Sequence, residues 1–282
     1  MLIIDGKATA LAIRREIAEA SRELESQHGR SPGLAVILVG DDPASHVYVR
    51  NKERACQEAN IRSFSHRLPA SVTQQELLDL IDSLADSDDI DGILLQLPLP
   101  KGLDEDVCLD RIPPTKDVDG FHPMNVGRMA LGLPGLRSCT PAGIMTLLQR
   151  HDIDPSGMHA VVLGRSNIVG KPMSLLLLEA NATVTICHSR TKNIQDICRQ
   201  ADLLVAAVGR PHFVTGDMVK PGAVVVDVGI HRTDNGLIGD CDFEAMKDKV
   251  AAITPVPGGV GPMTIAQLLA NTLQACRQRL NG

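Results

Sequence analysis

Apolar positions along this chain follow two rhythms. Short, mostly apolar runs recur at 34–39, 92–95, 161–163, 201–207 and 222–228, and each ends at a glycine or polar turn. Runs of that length suit strands of a sheet covered on both faces. Residues 61–68 and 183–186 read as two further strands. Between them, apolar residues recur at helical spacing. Ala8, Leu11, Ile13, Ile17, Ala20 and Leu24 mark a helix over 7–28. Asp42 as N-cap and Pro43 at the first position open a helix running to about Ala59. Further helices are expected at 73–84, at 141–150, from Pro172 at a first helical position, and at the end of the chain to about Arg279. Strand–helix alternation implies an α/β class built on parallel or mostly parallel sheets. Two domains are expected: 1–138, joined by a returning helix over 263–282, and a Rossmann-type unit over 139–262.

The segment from Val161 to Pro172 joins a buried strand, a turn with Gly164 and Gly170 at its ends, and a helix start. Backbone amides and the helix dipole make such a turn a phosphate cradle. Its spacing is G-x-S-x-x-x-G rather than the usual G-x-G-x-x-G, so an ordinary tight turn competes with this reading. The next strand ends in Cys187-His188-Ser189-Arg190-Thr191, without the acid that grips the ribose of NAD. Hydroxyls and guanidinium groups suit a 2′-phosphate instead, and Arg165 can approach from the first turn. NADP is therefore the expected cofactor, with Arg165, Ser189 and Arg190 as candidate contacts of its 2′-phosphate.

In the first half, Tyr48 and Lys52 lie four apart on one helix face. Gln96 follows the strand at 92–95, and Asp119 lies in the loop Lys116-Asp117-Val118-Asp119-Gly120. In parallel sheets ligands gather beyond the carboxyl ends of strands, so Gln96 and the helix bearing Tyr48 and Lys52 are expected to converge. A lysine acts as acid or base near neutral pH only when burial or a neighbouring cation lowers its pKa. An uncharged Gln96 amide holds it without favouring the ammonium. Tyr48 offers a ring face to a flat heterocycle, and Asp119 could accept two N–H groups from an aminopyrimidine edge. Plainer roles compete: a surface pair for Tyr48 and Lys52, turn formation for Asp117 and Asp119, a strand-end cap for Gln96. Y-x-x-x-K also marks short-chain dehydrogenases, but there the cofactor turn precedes the tyrosine, whereas Gly164 follows Tyr48.

Composition narrows the class. The chain has 282 residues, 44% hydrophobic, with a formal net charge of −6. An acidic balance argues against nucleic acid or a membrane surface as the main partner. No apolar run reaches the length of a membrane span, and the N-terminus lacks a signal-peptide pattern. Seven cysteines, odd in number and without a C-x-x-C, argue against a disulfide framework or a zinc site. They fit small core residues in a reducing cytoplasm, and no metal is expected. Pro255 to Thr264 packs three glycines and three prolines into ten residues, a stiff loop that admits a ligand close to backbone.

Five motifs, in this order, carry a family resemblance: Tyr48-Val49-Arg50-Asn51-Lys52, Gln96-Leu97-Pro98-Leu99-Pro100, Lys116 to Phe121, Gly164 to Pro172, and Pro255 to Thr264. With them the chain closely resembles, over essentially its whole length, the bifunctional methylenetetrahydrofolate dehydrogenase/methenyltetrahydrofolate cyclohydrolase family of one-carbon metabolism. The resemblance implies a folate cleft between two α/β domains. It implies that Lys52 serves the cyclohydrolase step, tuned by Gln96, while Tyr48 packs on the folate and Asp119 anchors the pterin edge. Leu97, Pro257, Gly258 and Gly259 become substrate contacts, and Gly164, Arg165, Ser166, Ser189 and Ile230 NADP contacts. A homodimer through the cofactor domains is implied as well. The competing readings are a monofunctional NADP-dependent dehydrogenase of another small substrate and a catalytically silent NADP-binding protein.

Overall fold

The computed structural model describes residues 1–234 and 236–281. In chain order its strands are β1 (Leu2–Ile3), β2 (Gly33–Val39), β3 (Arg62–Leu68), β4 (Gly92–Leu95), β5 (His159–Leu163), β6 (Thr183–Cys187), β7 (Leu203–Ala206), β8 (Val224–Asp227), β9 (His231–Thr233), β10 (Gly236–Ile238) and β11 (Ala252–Ile253). The chain forms two compact units, one from Leu11–Cys139 with Ile265–Gly282, the other from Met1–Ala10 with Thr140–Thr264.

The first unit holds a three-stranded parallel sheet in the order β3-β2-β4. Every residue of β2 and β4 is buried, as their unbroken apolar runs require. The edge strand β3 is only partly buried. Chain order places β3 on one side of β2 and then β4 on the other, so the carboxyl ends of β2 and β4 form a topological switch point. The Pro43–Glu58 helix leaves that edge, with the Asp42 side chain accepting from Ser45 N at 2.8 Å. The Gln74–Asp86 helix opens on a Thr73/Glu76 capping box and buries Leu77, Ile81 and Leu84 against the sheet. Beyond β4, Ile93 N donates to Lys116 O at 2.8 Å and Ile93 pairs with Asp117, so residues 116–118 continue the sheet.

The second unit holds a six-stranded parallel sheet, β1-β11-β8-β7-β5-β6. Its own switch point lies between β5 and β7. Val161, Leu163, Leu204, Ala206, Val225 and Ile253 form its core with Val214, Met218 and Met246. The sequence placed residues 1–10 with the other unit. The structure corrects this, because β1 pairs with β11 through Leu2↔Ala252 and Ile3↔Ile253. Two-residue strands are too short to show a period, which is why β1 and β11 escaped the pattern.

Two other expectations shift. The Gly170–Glu179 helix places Pro172 third rather than first. A Cβ at Gly170 would lie 2.3 Å from Gly164 O, so only glycine can start the helix so close to the turn. The loop beginning at Pro255 is shorter than expected, since the Val260–Asn281 helix takes up its second half. In the Gly6–His28 helix, Ile13, Ile17 and Leu24 are buried, but Leu11 is 42% exposed. All seven cysteines are buried and unpaired. Among the described residues no helix is long and apolar enough to cross a membrane, and no cluster suits a metal ion.

Candidate functional site

At the β2/β4 switch point, Lys52 and Gln96 meet. Lys52 comes from the helix that follows β2, and Gln96 from the residue after β4, where its N–H still donates to Ile37 O at 2.9 Å. Lys52 Nζ donates to Gln96 Oε1 at 3.0 Å. Gln96 Nε2 donates to Leu97 O at 2.7 Å, which turns the amide so that its oxygen faces the lysine. Leu97 is half-buried and packs against the core of this unit. Tyr48 lies one turn before Lys52 on the same helix and is 45% exposed.

Asp119 joins them electrostatically. Burial pushes its carboxyl up to about 6, the Lys52 charge pulls it down, and the Asp117 charge pushes it further up. Asp117 itself follows the plainer reading. It is buried and accepts from Phe121 N at 3.2 Å, His122 N at 2.9 Å and Asn125 Nδ2 at 2.9 Å, so it builds the turn. Lys116 is likewise structural: its ammonium caps the Gln74–Asp86 helix through Ala85 O at 2.6 Å and Ser87 O at 2.8 Å.

The second switch point carries the glycine turn. Gly164 has φ +123°, and a Cβ there would sit 2.2 Å from Ala207 O. Gly164 N donates to Cys187 O at 2.8 Å, and Leu163 pairs with Cys187 across β5 and β6. Arg165 and Ser189 each stand two residues beyond that register pair, so their turns leave adjacent strands at one edge. Both are exposed, as is Arg190. Ser166 Oγ accepts from Val169 N at 3.2 Å and Gly170 N at 3.3 Å, capping the helix that follows. The first amides of that helix are thus held by a hydroxyl rather than left bare, as the sequence had implied. A hydroxyl that accepts still has its proton to donate.

Ile230 follows β8 and is 43% exposed, with its Cδ1 3.3 Å from where a Cβ of Gly261 would lie. Pro257 is exposed and Gly258 has φ +105°. Gly259 is buried, and a Cβ there would come 2.6 Å from Pro255 O. Tyr48, Lys52, Gln96, Leu97 and Asp119 therefore belong to one unit. Gly164, Arg165, Ser166, Ser189, Ile230 and Pro257 to Gly259 belong to the other.

The sequence missed a pair of buried carboxylates beneath the cofactor-side loops. Asp240 accepts from Val208 N (2.7 Å), Gly209 N (3.0 Å), Arg210 N (2.9 Å) and His231 Nε2 (2.8 Å). Asp227 accepts from Gly229 N (2.9 Å), Asp240 N (2.9 Å) and Cys241 N (2.8 Å), and burial raises its pKa even so. Together they fix the backbone beyond β7 and β8. One signal for them in the sequence is Asp227 closing an apolar run. Gly239 gives a second clue in retrospect, since a Cβ there would meet Asp227 Oδ2 at 1.9 Å.

Comparison with known proteins is consistent along the whole chain. Residues 4–119 match the model of the tetrahydrofolate dehydrogenase/cyclohydrolase catalytic domain, and residues 138–280 that of the NAD(P)-binding domain of the same family. A protein from Nitratidesulfovibrio vulgaris described as bifunctional protein FolD is 65% identical over 99% of this chain and 98% of its own length. The crystal structure of the bifunctional methylenetetrahydrofolate dehydrogenase/cyclohydrolase of Campylobacter jejuni superposes with a TM-score of 0.97 at 50% identity, covering 99% of both chains. The Trypanosoma brucei dehydrogenase-cyclohydrolase, solved with NADP and an inhibitor, gives 0.95 at 39% identity over 100% of this chain and 99% of its own.

Proposed function

The chain belongs to the tetrahydrofolate dehydrogenase/cyclohydrolase family, and from that premise we propose that it is a bifunctional enzyme of folate-dependent one-carbon metabolism. It oxidises methylenetetrahydrofolate to methenyltetrahydrofolate by hydride transfer to NADP, then hydrolyses the product to formyltetrahydrofolate. The observation that supports this reading most directly is the 3.0 Å Lys52–Gln96 contact with the Asp119 carboxyl held in reach of the lysine charge.

Hydride leaves a carbon that lies between two nitrogens, and the resulting cation is delocalised over both. Oxidation therefore asks the protein for position rather than for a base. Hydrolysis asks for more. Water adds to the cationic carbon and loses a proton; one carbon–nitrogen bond then breaks, and the departing nitrogen gains a proton. Lys52 carries that proton, and Gln96 aims the amine while remaining neutral. Asp119 accepts two N–H groups from the aminopyrimidine edge. Its ionised form is costly before substrate arrives, so donors supplied by the substrate relieve part of that cost. Tyr48 lays its ring on the folate, and Leu97 lines the same edge.

The donor set at the β5/β7 switch point fits a phosphorylated dinucleotide: a glycine turn at a helix start, with Arg165, Ser189 and Arg190 exposed beyond adjacent strands. Gly164 and Ser166 would hold the pyrophosphate side, Arg165 and Ser189 the 2′-phosphate, and Ile230 the nicotinamide end. NADP supplies the hydride acceptor when bound. Asp240 and Asp227 keep the neighbouring loops in one conformation. The Pro257 to Gly259 loop contacts the folate. No acidic residue stands at the end of β6, which is the observation favouring NADP over NAD.

The enzyme works as a homodimer in the cytoplasm. β6 is an edge strand that leaves Ile186 44% exposed, and Leu178 on the preceding helix is 62% exposed. An uncovered edge with apolar side chains favours pairing with a second copy.

Lys52→Gln tests the catalytic assignment. The variant is expected to lose methenyltetrahydrofolate hydrolysis by a factor of about 100 or more, the usual scale of acid–base assistance, while retaining NADP-dependent oxidation. Hydrolysis at the wild-type rate would remove Lys52 from the mechanism.

A further inference from the structure

The Val260–Asn281 helix buries a polar side chain, Asn271, that is 1% exposed. Such a group persists only where its hydrogen bonds are met. Asn271 Nδ2 donates to Val118 O at 2.8 Å and to Arg137 O at 2.8 Å, and it lies 3.6 Å from Cys139 Sγ. Its oxygen accepts from Gln267 Nε2 at 2.9 Å, one turn back on the same helix. The amide therefore stitches together two loop segments that the sequence keeps well apart, and a neighbour fixes which way it faces.

Both segments frame Asp119. Val118 immediately precedes it, and Val118 O also accepts from Cys139 Sγ at 3.1 Å. Cys139 N donates to Asp119 O at 3.2 Å. On the other side, a Cβ at Gly120 would lie 2.4 Å from the Arg137 carbonyl carbon, so the two segments touch with room for glycine alone. The Val118 side chain fills the space over Gly92, where a Cβ would come within 2.5 Å. Backbone on both sides of Asp119 is thus immobilised, and its carboxyl is left as the variable part.

We infer that Asn271 is a positioning residue for Asp119: through Val118 O and Arg137 O it sets where the carboxyl meets the folate edge. This rests on the assignment of Asp119 as the pterin anchor. It adds that the last helix, through Asn271, sets the affinity for the folate.

The test compares Asn271→Ser, Gln267→Met and Asp119→Asn in the full-length enzyme, using methylenetetrahydrofolate and NADP. Asn271→Ser is expected to raise the KM for methylenetetrahydrofolate about five- to fiftyfold, with kcat and the KM for NADP within about twofold. The pH at which the folate KM changes should also move away from its wild-type position. Gln267→Met, which releases the amide without deleting it, should give a smaller rise of the same kind. If Asn271→Ser does not fold, Gln267→Met decides, and an unchanged folate KM in it overturns the inference. Equal rises in the folate and NADP KM also overturn it, since they report general loosening. A raised folate KM in Asp119→Asn beside an unchanged one in Asn271→Ser sinks this inference alone. An unchanged KM in Asp119→Asn sinks the assignment of Asp119 as well.

Discussion

Asp119→Asn is expected to make the protein more stable at neutral pH while impairing it as an enzyme. The Asp119 carboxyl titrates near 6 in the folded chain against 3.8 for an ordinary aspartate, and burial is the largest cause. At about 1.4 kcal/mol per pH unit, its ionised form carries about 3 kcal/mol of unfavourable free energy. Because one side of the residue meets solvent, about 1–3 kcal/mol is the range expected in practice. The sign follows from linkage. Between pH 3.8 and about 6 the folded chain keeps a proton on Asp119 that the unfolded chain has released. The stabilising contribution of this group is thus complete below the lower value and lost as pH rises through the upper one. Asparagine keeps the shape without the charge. The stability difference between variant and wild type should therefore be near zero at pH 3.8, grow through the window and level off above 6. Urea unfolding of both proteins at a series of pH values reads this directly. Taking the difference cancels other carboxyls, such as Glu76 and Asp82, which are held low, and Asp91, which is pushed up. A difference that does not vary with pH would refute the claim that Asp119 is a strained, desolvated acid.

Three further outcomes are expected. Arg165→Ala should raise the KM for NADP about ten- to a hundredfold, the scale of a charge-assisted bond to phosphate, and leave that for NAD within about threefold; equal effects in steady-state kinetics would withdraw the 2′-phosphate assignment. Ile186→Glu on the exposed edge strand should lower the mass in light scattering relative to wild type, and an unchanged mass would withdraw β6 as the proposed dimer contact. Gly164→Ala should cost about 2 kcal/mol or more in urea unfolding, because the residue stands at φ +123° and its Cβ would lie 2.2 Å from Ala207 O; a variant as stable as the wild type would show that the turn can relax.

The sequence showed the buried strands well because burial on both faces leaves no ambiguity: β2, β4, β5 and β8 match their apolar runs within about two residues. Helix starts were legible where a side chain caps them, as Asp42 and Thr73 do. The start at Gly170 was misplaced because its cap comes from Ser166, inside the turn, and proline is tolerated anywhere in a first turn whose amides have no helical partner. Short elements such as the Glu105–Arg111 and Pro123–Ala130 helices and the β9–β10 hairpin span too few residues to show a period. At the site, Lys52 and Gln96 were legible because strand ends announce themselves. Asp227, Asp240 and Asn271 were not, because each acts on backbone groups that only the fold brings near.

Counting donors around each buried carboxylate separates architecture from function in this chain. Asp91 accepts from Gly33 N at 2.8 Å and Arg279 Nε at 3.1 Å, and it pairs with Arg30. Asp117, Asp227 and Asp240 each accept from three or four protein groups, close to the roughly four acceptor sites that a carboxylate offers. Their bonding is complete within the protein, and they serve to fix loops. At Asp119 burial outweighs the Lys52 charge, and its carboxyl remains uncomfortable as an anion. Selection for stability alone would favour an amide or an apolar side chain there. A desolvated acid beside an amine aimed by an uncharged amide fits the proposed role of Asp119 as pterin anchor, in which the substrate supplies donors. The same reasoning explains why a buried asparagine on the last helix holds the backbone on either side. An acceptor reserved for a ligand is useful only if it does not turn aside to find a partner of its own.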